Sequence, residues 1–223
     1  METFDVAYIN DHLFENMYKS KEIRWFSESL NHTILNWFTS NGLNFDRSVS
    51  RTDFYLPLAK EEINVKLREG NIEIKHRTRP PVPGRLTLNA EGIFEEWIKW
   101  SLNLSETDRL STEITQGNKY QWTEIVKNRI GLKLKNKGSG SGRPQILSIN
   151  EIIASGCQME YTQLTVNKKN YYTFALEWFG ESHLHLNKSF LDSVLGDAVL
   201  KPEKSMGYAR FLNLLQQESS VWQ

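Results

Sequence analysis

The chain has one cysteine in 223 residues, Cys157. That excludes an intramolecular disulfide framework and any cysteine-rich zinc module, and it makes a reducing cytoplasm the expected compartment. Long apolar runs are also missing. None approaches the 18 residues that a membrane-spanning helix needs, and the opening METFDVAYINDHLFEN is acidic, without the basic start of a signal peptide. Charge of one sign is lacking too: 27 Lys and Arg balance 27 Asp and Glu. A zero sum argues against a general nucleic-acid coat protein or a polybasic membrane binder, so neither partner is expected. There is no internal repeat, and low complexity is confined to residues 136–145, NKGSGSGRPQ, read as a flexible loop.

What is present belongs to a folded protein. Hydrophobic residues make up 39% and aromatics 12%, too apolar for a disordered chain. Strand patterns dominate. Residues 21–26, 49–56, 63–68, 72–77, 122–135, 158–166 and 171–179 are rich in β-branched and aromatic residues. Glu69-Gly70-Asn71 and Asn167-Lys168-Lys169-Asn170 read as hairpin turns, and the cluster RTRPPVPGR at 77–85 as a breaker. Helical spacing marks residues 27–43, ending at Gly42; residues 93–104, from Ile93, Trp97, Trp100 and Leu104; residues 190–196; and a last helix capped by Ser205. Antiparallel hairpins with few helices imply an α+β fold with a sheet or barrel at its centre. Residues 20–223 form one domain in this reading. Residues 1–19 form an extension, with Leu13, Phe14, Met17 and Tyr18 as the apolar face of a helix.

The charges follow the strand period. Side chains alternate between faces, so Lys66 and Arg68 share one face opposite Val65 and Leu67. Glu73, Lys75, Arg77 and Arg79 share another, and Lys127, Arg129, Lys133 and Lys135 a third. Like charges on neighbouring strands repel by roughly a few tenths of a kcal/mol per pair. Two readings account for them: solvated outer faces of one-sided sheets, or a concave basic surface or barrel interior that binds phosphate groups. Glu22, Glu160 and Glu177 are carboxylates on strands of the same set. They suit either ordinary salt bridges or a hard divalent cation, since Mg²⁺ takes one or two carboxylates plus phosphate oxygens and water.

The order of these elements resembles the CYTH superfamily, the triphosphate tunnel enzymes that include thiamine triphosphatases, inorganic triphosphatases and class IV adenylyl cyclases. The family's opening Glu-x-Glu-x-Lys strand resembles Ser20-Lys21-Glu22-Ile23-Arg24-Trp25, with serine at the first glutamate. Its Asp-x-Tyr-like strand end resembles Asp53-Phe54-Tyr55. Its paired basic strands resemble residues 65–70 and 72–77, and its Lys-x-Arg strand resembles Lys127-Asn128-Arg129. Its Glu-x-Glu strand resembles Ala175-Leu176-Glu177, again without the first glutamate, and its ending resembles residues 204–208.

The resemblance covers about residues 20–212. It implies an antiparallel eight-stranded β-barrel, a tunnel with a polar interior and helices packed outside. It implies a triphosphate or polyphosphate compound, or a nucleotide, gripped by Arg24, Lys66, Arg68, Lys75, Arg77, Lys127 and Arg129. Mg²⁺ or Mn²⁺ would be held by Glu22, Glu177 and Glu160, with Glu22 and Glu177 serving catalysis in a metal-dependent triphosphatase. Ser20 and Ala175 stand where acids are missing, so the implied metal site is weak and hydrolysis slow. Two alternatives are a binding module of the same fold without catalysis and an unrelated small-molecule barrel. Other motifs carry less. GSGSGRP lacks the Lys-Ser/Thr of a phosphate loop, His183 and His185 lack a third ligand, and Cys157 reads as a buried thiol.

Overall fold

A computed structural model describes residues 17–104, 107–117, 121–137, 143–181 and 184–220. Residues 1–16, the centre of the 136–145 loop and His183 lie outside the described residues. The described residues form ten strands: β1 (Tyr18–Ser27), β2 (Ser50–Leu56), β3 (Ile63–Arg68), β4 (Asn71–Arg77), β5 (Val82–Thr87), β6 (Ala90–Asn103), β7 (Thr123–Lys135), β8 (Gln145–Ser148), β9 (Gly156–Val166) and β10 (Lys169–Phe179). The helices are α1 (His32–Ser40), α2 (Arg109–Thr115), α3 (Lys188–Leu195) and α4 (Tyr208–Ser220). Among the described residues no helix is long and apolar enough to cross a membrane.

The sheet runs in the order β1-β10-β9-β7-β2-β3-β4-β6, and β6 pairs back onto β1, which closes an antiparallel eight-stranded barrel. β5 and β8 pair outside this circuit, on β6 and β7. The two-residue turns at 69–70 and 167–168 set the registers of β3–β4 and β9–β10. Glu69, Gly70, Asn167 and Lys168 all have positive φ, as tight hairpins of this kind require.

The barrel is apolar outside and charged inside. Outward side chains such as Ile23, Trp25, Ile130, Leu132, Met159, Tyr161 and Leu176 are buried beneath α1 and α3, which contribute Ile34, Phe38, Phe190, Leu191 and Val194. Asn31 and Asn187 cap these helices by accepting from the backbone N–H of Ile34 (3.1 Å) and Phe190 (2.8 Å). The second apolar cluster closes one end of the barrel. There Phe26, Tyr55, Ile125, Leu164, Val166 and Tyr171 meet Met206, Phe211 and Leu212, with Phe211 stacked on Phe26 at 4.0 Å.

Three expected elements differ. Residues 93–104 form most of β6, not a helix. Their apolar residues fall on both faces of a strand whose inner side carries Glu95, Trp97 and Lys99, and pairing with β1, β4 and β5 overrides the helical spacing. Ser205 does not cap α4. Its hydroxyl accepts from the Ile93 N–H at 2.8 Å, while the Met206 N–H donates to the Arg24 carbonyl at 3.0 Å. A Cβ on Gly92 would lie 2.5 Å from the Trp25 ring and 2.7 Å from the Ser205 hydroxyl, so glycine there lets residues 205–208 press against β6. Finally, β1 begins at Tyr18 and takes in the end of the expected 1–19 extension.

Candidate anion-binding site

The alternation on each strand decides which charges face inward. β1 contributes Glu22 and Arg24, β2 Arg51 and Tyr55, β3 Lys66 and Arg68, β4 Glu73 and Lys75, β6 Lys99, β7 Lys127 and Arg129, β9 Glu160 and Thr162, and β10 Glu177. All line one cavity of about 220 Å³, with Gly207 and Tyr208 entering from the start of α4. Eight basic side chains face four acidic ones there, and Asp53 beneath them makes a fifth acid, leaving three formal positive charges uncompensated.

Of the residues expected to bind phosphate, Arg24, Lys66, Arg68, Lys75, Lys127 and Arg129 share this cavity. Arg77 does not line it; its guanidinium donates to Glu95 at 2.7 Å. Arg79 lies beyond the end of β4, 74% exposed, and the Lys133 ammonium is turned to the Glu151 carbonyl. The sequence places Glu73 on the Lys75 face and Asp53 in the resemblance without giving either a part in the site, and it leaves Arg51 and Lys99 unassigned. Arg51 and Asp53 alternate on β2 as clearly as the other charges do, while Lys99 was hidden by the helical reading of β6.

The deepest charges sit towards the plugged end. Asp53 is fully buried, 2.7 Å from the Lys127 ammonium, 3.3 Å from the Arg51 guanidinium and 3.9 Å from Lys66. Burial opposes its charge, but Lys127, Lys66 and Arg51 outweigh burial and hold the carboxyl well below its usual range. Lys127 also donates to the Tyr55 hydroxyl at 2.6 Å and lies over the Tyr208 ring at 4.0 Å. Burial pushes the ammoniums of Lys127 and Lys66 well below their ordinary values, and beside Lys66 the Arg68 charge adds to the fall. Burial and the Arg51 charge lower Arg68 in the same way. Exposure rises towards the other end, where the side chains of Arg51, Arg68, Glu177 and Arg129 are 19–27% exposed.

Two of the acids bridge cations across the interior. Glu22 accepts from Arg24 at 2.8 Å and from Lys75 at 3.1 Å, and Glu160 pairs with Arg24 at 2.9 Å and Arg129 at 3.5 Å. Burial raises the Glu22 carboxyl, but Lys75 and Arg24 outweigh it and hold the group at about 2. Its stabilisation is therefore complete above the unfolded value of 4.5 and is lost as pH falls from there to about 2. The melting temperature is expected to drop steeply below pH 4.5, and Glu22→Gln should remove part of that slope. A midpoint unchanged down to pH 2.5 would contradict these ion pairs.

Three buried polar atoms of the lining have no hydrogen-bond partner among the described residues: Nε of Arg51, which lies 3.3 Å from the Asp53 carboxylate, and two neutral donors, the indole N–H of Trp97 and the hydroxyl of Thr162. A buried donor left unpaired costs about 1–3 kcal/mol, and both neutral donors are placed to meet a polar guest. A larger groove of about 870 Å³ lies outside the barrel, among Lys19, Lys21, Arg85, Phe94, Trp178 and Lys188. Its cations are solvent-exposed, and Arg85 is already paired with Glu91. The smaller interior cavity, with its buried and uncompensated charge, is the stronger candidate.

The carboxylates do not fit the expected Mg²⁺ or Mn²⁺. Among the described residues no three His, Cys, Asp or Glu side chains gather about one point. Glu22, Glu160 and Glu177 each hold a protein cation instead, and Ala175, buried opposite both Arg24 and Glu160, adds no oxygen. No known family's sequence model matches the chain, and comparison with curated proteins finds no match either.

Proposed function

We propose that the barrel interior binds a compact, multiply charged anion of the oligophosphate class, such as tripolyphosphate or the phosphate chain of a larger compound. One observation carries the reading: eight Lys and Arg side chains are gathered, against few acids, in one cavity closed at one end. Folding such charges inward is costly, and phosphate oxygens return the cost through charge-assisted hydrogen bonds. Pockets that enclose drug-sized ligands have volumes of about 300–1,000 Å³. A cavity of about 220 Å³ therefore suits a phosphate chain, with any organic group left outside.

The basic side chains bind and orient the anion. Thr162 and Trp97 add neutral donors, and the apolar plug excludes water from the deep end. A ligand that binds only the folded state at a hundred times its Kd stabilises it by about 2.7 kcal/mol. For a chain of this size, that raises the melting temperature by roughly 5–10 °C. Tripolyphosphate at low ionic strength is expected to produce this shift, read by thermal unfolding. No shift at millimolar tripolyphosphate would refute the proposal.

A further inference from the structure

Glu22 and Glu177 stand directly opposite each other across the β1–β10 ladder. Two carboxylates in register on one inner face repel, and a cation between them relieves the repulsion. Here the cation belongs to the chain. Lys75 reaches across from β4 and places its ammonium 3.1 Å from Glu22 Oε2 and 2.9 Å from Glu177 Oε1. The other Glu22 oxygen is taken by Arg24 Nε at 2.8 Å. Glu160 is likewise filled: Oε1 by Arg24 at 2.9 Å, and Oε2 by the Gln158 amide at 3.0 Å and Arg129 at 3.5 Å.

We infer that Lys75 is a built-in substitute for a divalent cation, closing the Glu22–Glu177 pair to metal, so that the interior takes its anion without metal. The inference rests on the proposed oligophosphate reading for its second half only. An ammonium tethered to β4 cannot diffuse away, and a dication entering between the two carboxylates would have to expel it. The expelled charge would stay inside the barrel, close to the incoming ion and to Arg24. A hard cation such as Mg²⁺ also needs oxygen ligands that are free, and those facing Lys75 are engaged. The Lys75 ammonium is held well above its ordinary value because, although burial opposes the charge, Glu177 and Glu22 outweigh burial. It therefore remains a cation at any physiological pH.

The test is a Mn²⁺ titration of the full chain followed by electron paramagnetic resonance of the free ion. Wild type is expected to leave the free signal unchanged up to millimolar Mn²⁺. Lys75→Gln keeps a long side chain but removes the charge, and it should sequester about one Mn²⁺ per chain, its fold checked by circular dichroism. Sequestration of one equivalent by wild type would overturn the inference without need of any variant. So would a folded Lys75→Gln protein that still binds none. A parallel calorimetric titration with tripolyphosphate should give binding in EDTA, weakened by Mg²⁺ that chelates the free anion. Binding only with Mg²⁺ would overturn the metal-free claim while leaving the oligophosphate reading intact. Absence of binding in both media would remove that reading and with it the metal-free claim, while the Mn²⁺ arms still decide the role of Lys75.

Discussion

Asp53→Asn is expected to destabilise the protein by about 3–5 kcal/mol, the cost of removing one partner from a buried ion pair. For a chain of this size that lowers the melting temperature by roughly 6–20 °C. The substitution keeps shape and removes only the charge that lies within 4 Å of Lys127, Arg51 and Lys66. Those three cations would remain inside the barrel with less compensation, and an anion in the cavity would then be worth more than in wild type. Tripolyphosphate should accordingly raise the melting temperature of Asp53→Asn by more than it raises that of the parent. A variant as stable as the parent would show that Asp53 is not the counter-charge of this cluster.

Replacing Lys99 and Arg129 together by glutamine is expected to weaken tripolyphosphate binding by roughly 10²–10⁴-fold, since a hydrogen bond to a charged group is worth about 1.5–3 kcal/mol. The protein without ligand should lose little stability. Lys99 has no ion pair among the described residues and lies over the Tyr18 ring at 5.1 Å, and Arg129 meets Glu160 only at 3.5 Å. Burial and the neighbouring Lys75 charge lower the Lys99 ammonium, so its removal also relieves repulsion. Calorimetric titration and thermal unfolding together check the two halves. Unchanged affinity would place the anion elsewhere, and a large loss of stability would make these residues structural.

Much of the barrel was legible because strand alternation is a strong signal wherever the inner face is charged. In β3, Lys66 and Arg68 alternate with Val65 and Leu67, and in β7 Lys127 and Arg129 alternate with Val126 and Ile130, so the period of two is visible in the charges themselves. β6 was illegible for the converse reason. Trp97 faces inward among charged residues while Phe94, Ile98 and Trp100 face the other way, so apolar residues appear on both faces and mimic helical spacing. β5 and β8 are short strands outside the closed circuit. Pro83 and Gly84 in β5 read as breakers, although a proline is tolerated in a strand paired on one side only.

The site was legible as a set of inward charges but not as a set of partnerships. Nothing in the sequence tells that Lys75, on β4, meets Glu22 and Glu177 on two other strands, because that meeting depends on closure through β1–β6. For the same reason Glu22, Glu160 and Glu177 read as a metal set, whereas in the structure each faces a guanidinium or an ammonium. Arg77 shares its strand face with Lys75, yet pairing with Glu95 keeps it out of the cavity lining.

The most direct test of oligophosphate binding inside the barrel is a crystal structure of the chain grown with tripolyphosphate in EDTA. Phosphate oxygens are expected within hydrogen-bond distance of Lys66, Arg68 and Arg129, in the cavity that Tyr208 and Thr162 line. A cavity without the anion at saturating concentration, or tripolyphosphate seated instead in the outer groove among Lys21, Arg85 and Lys188, would contradict it.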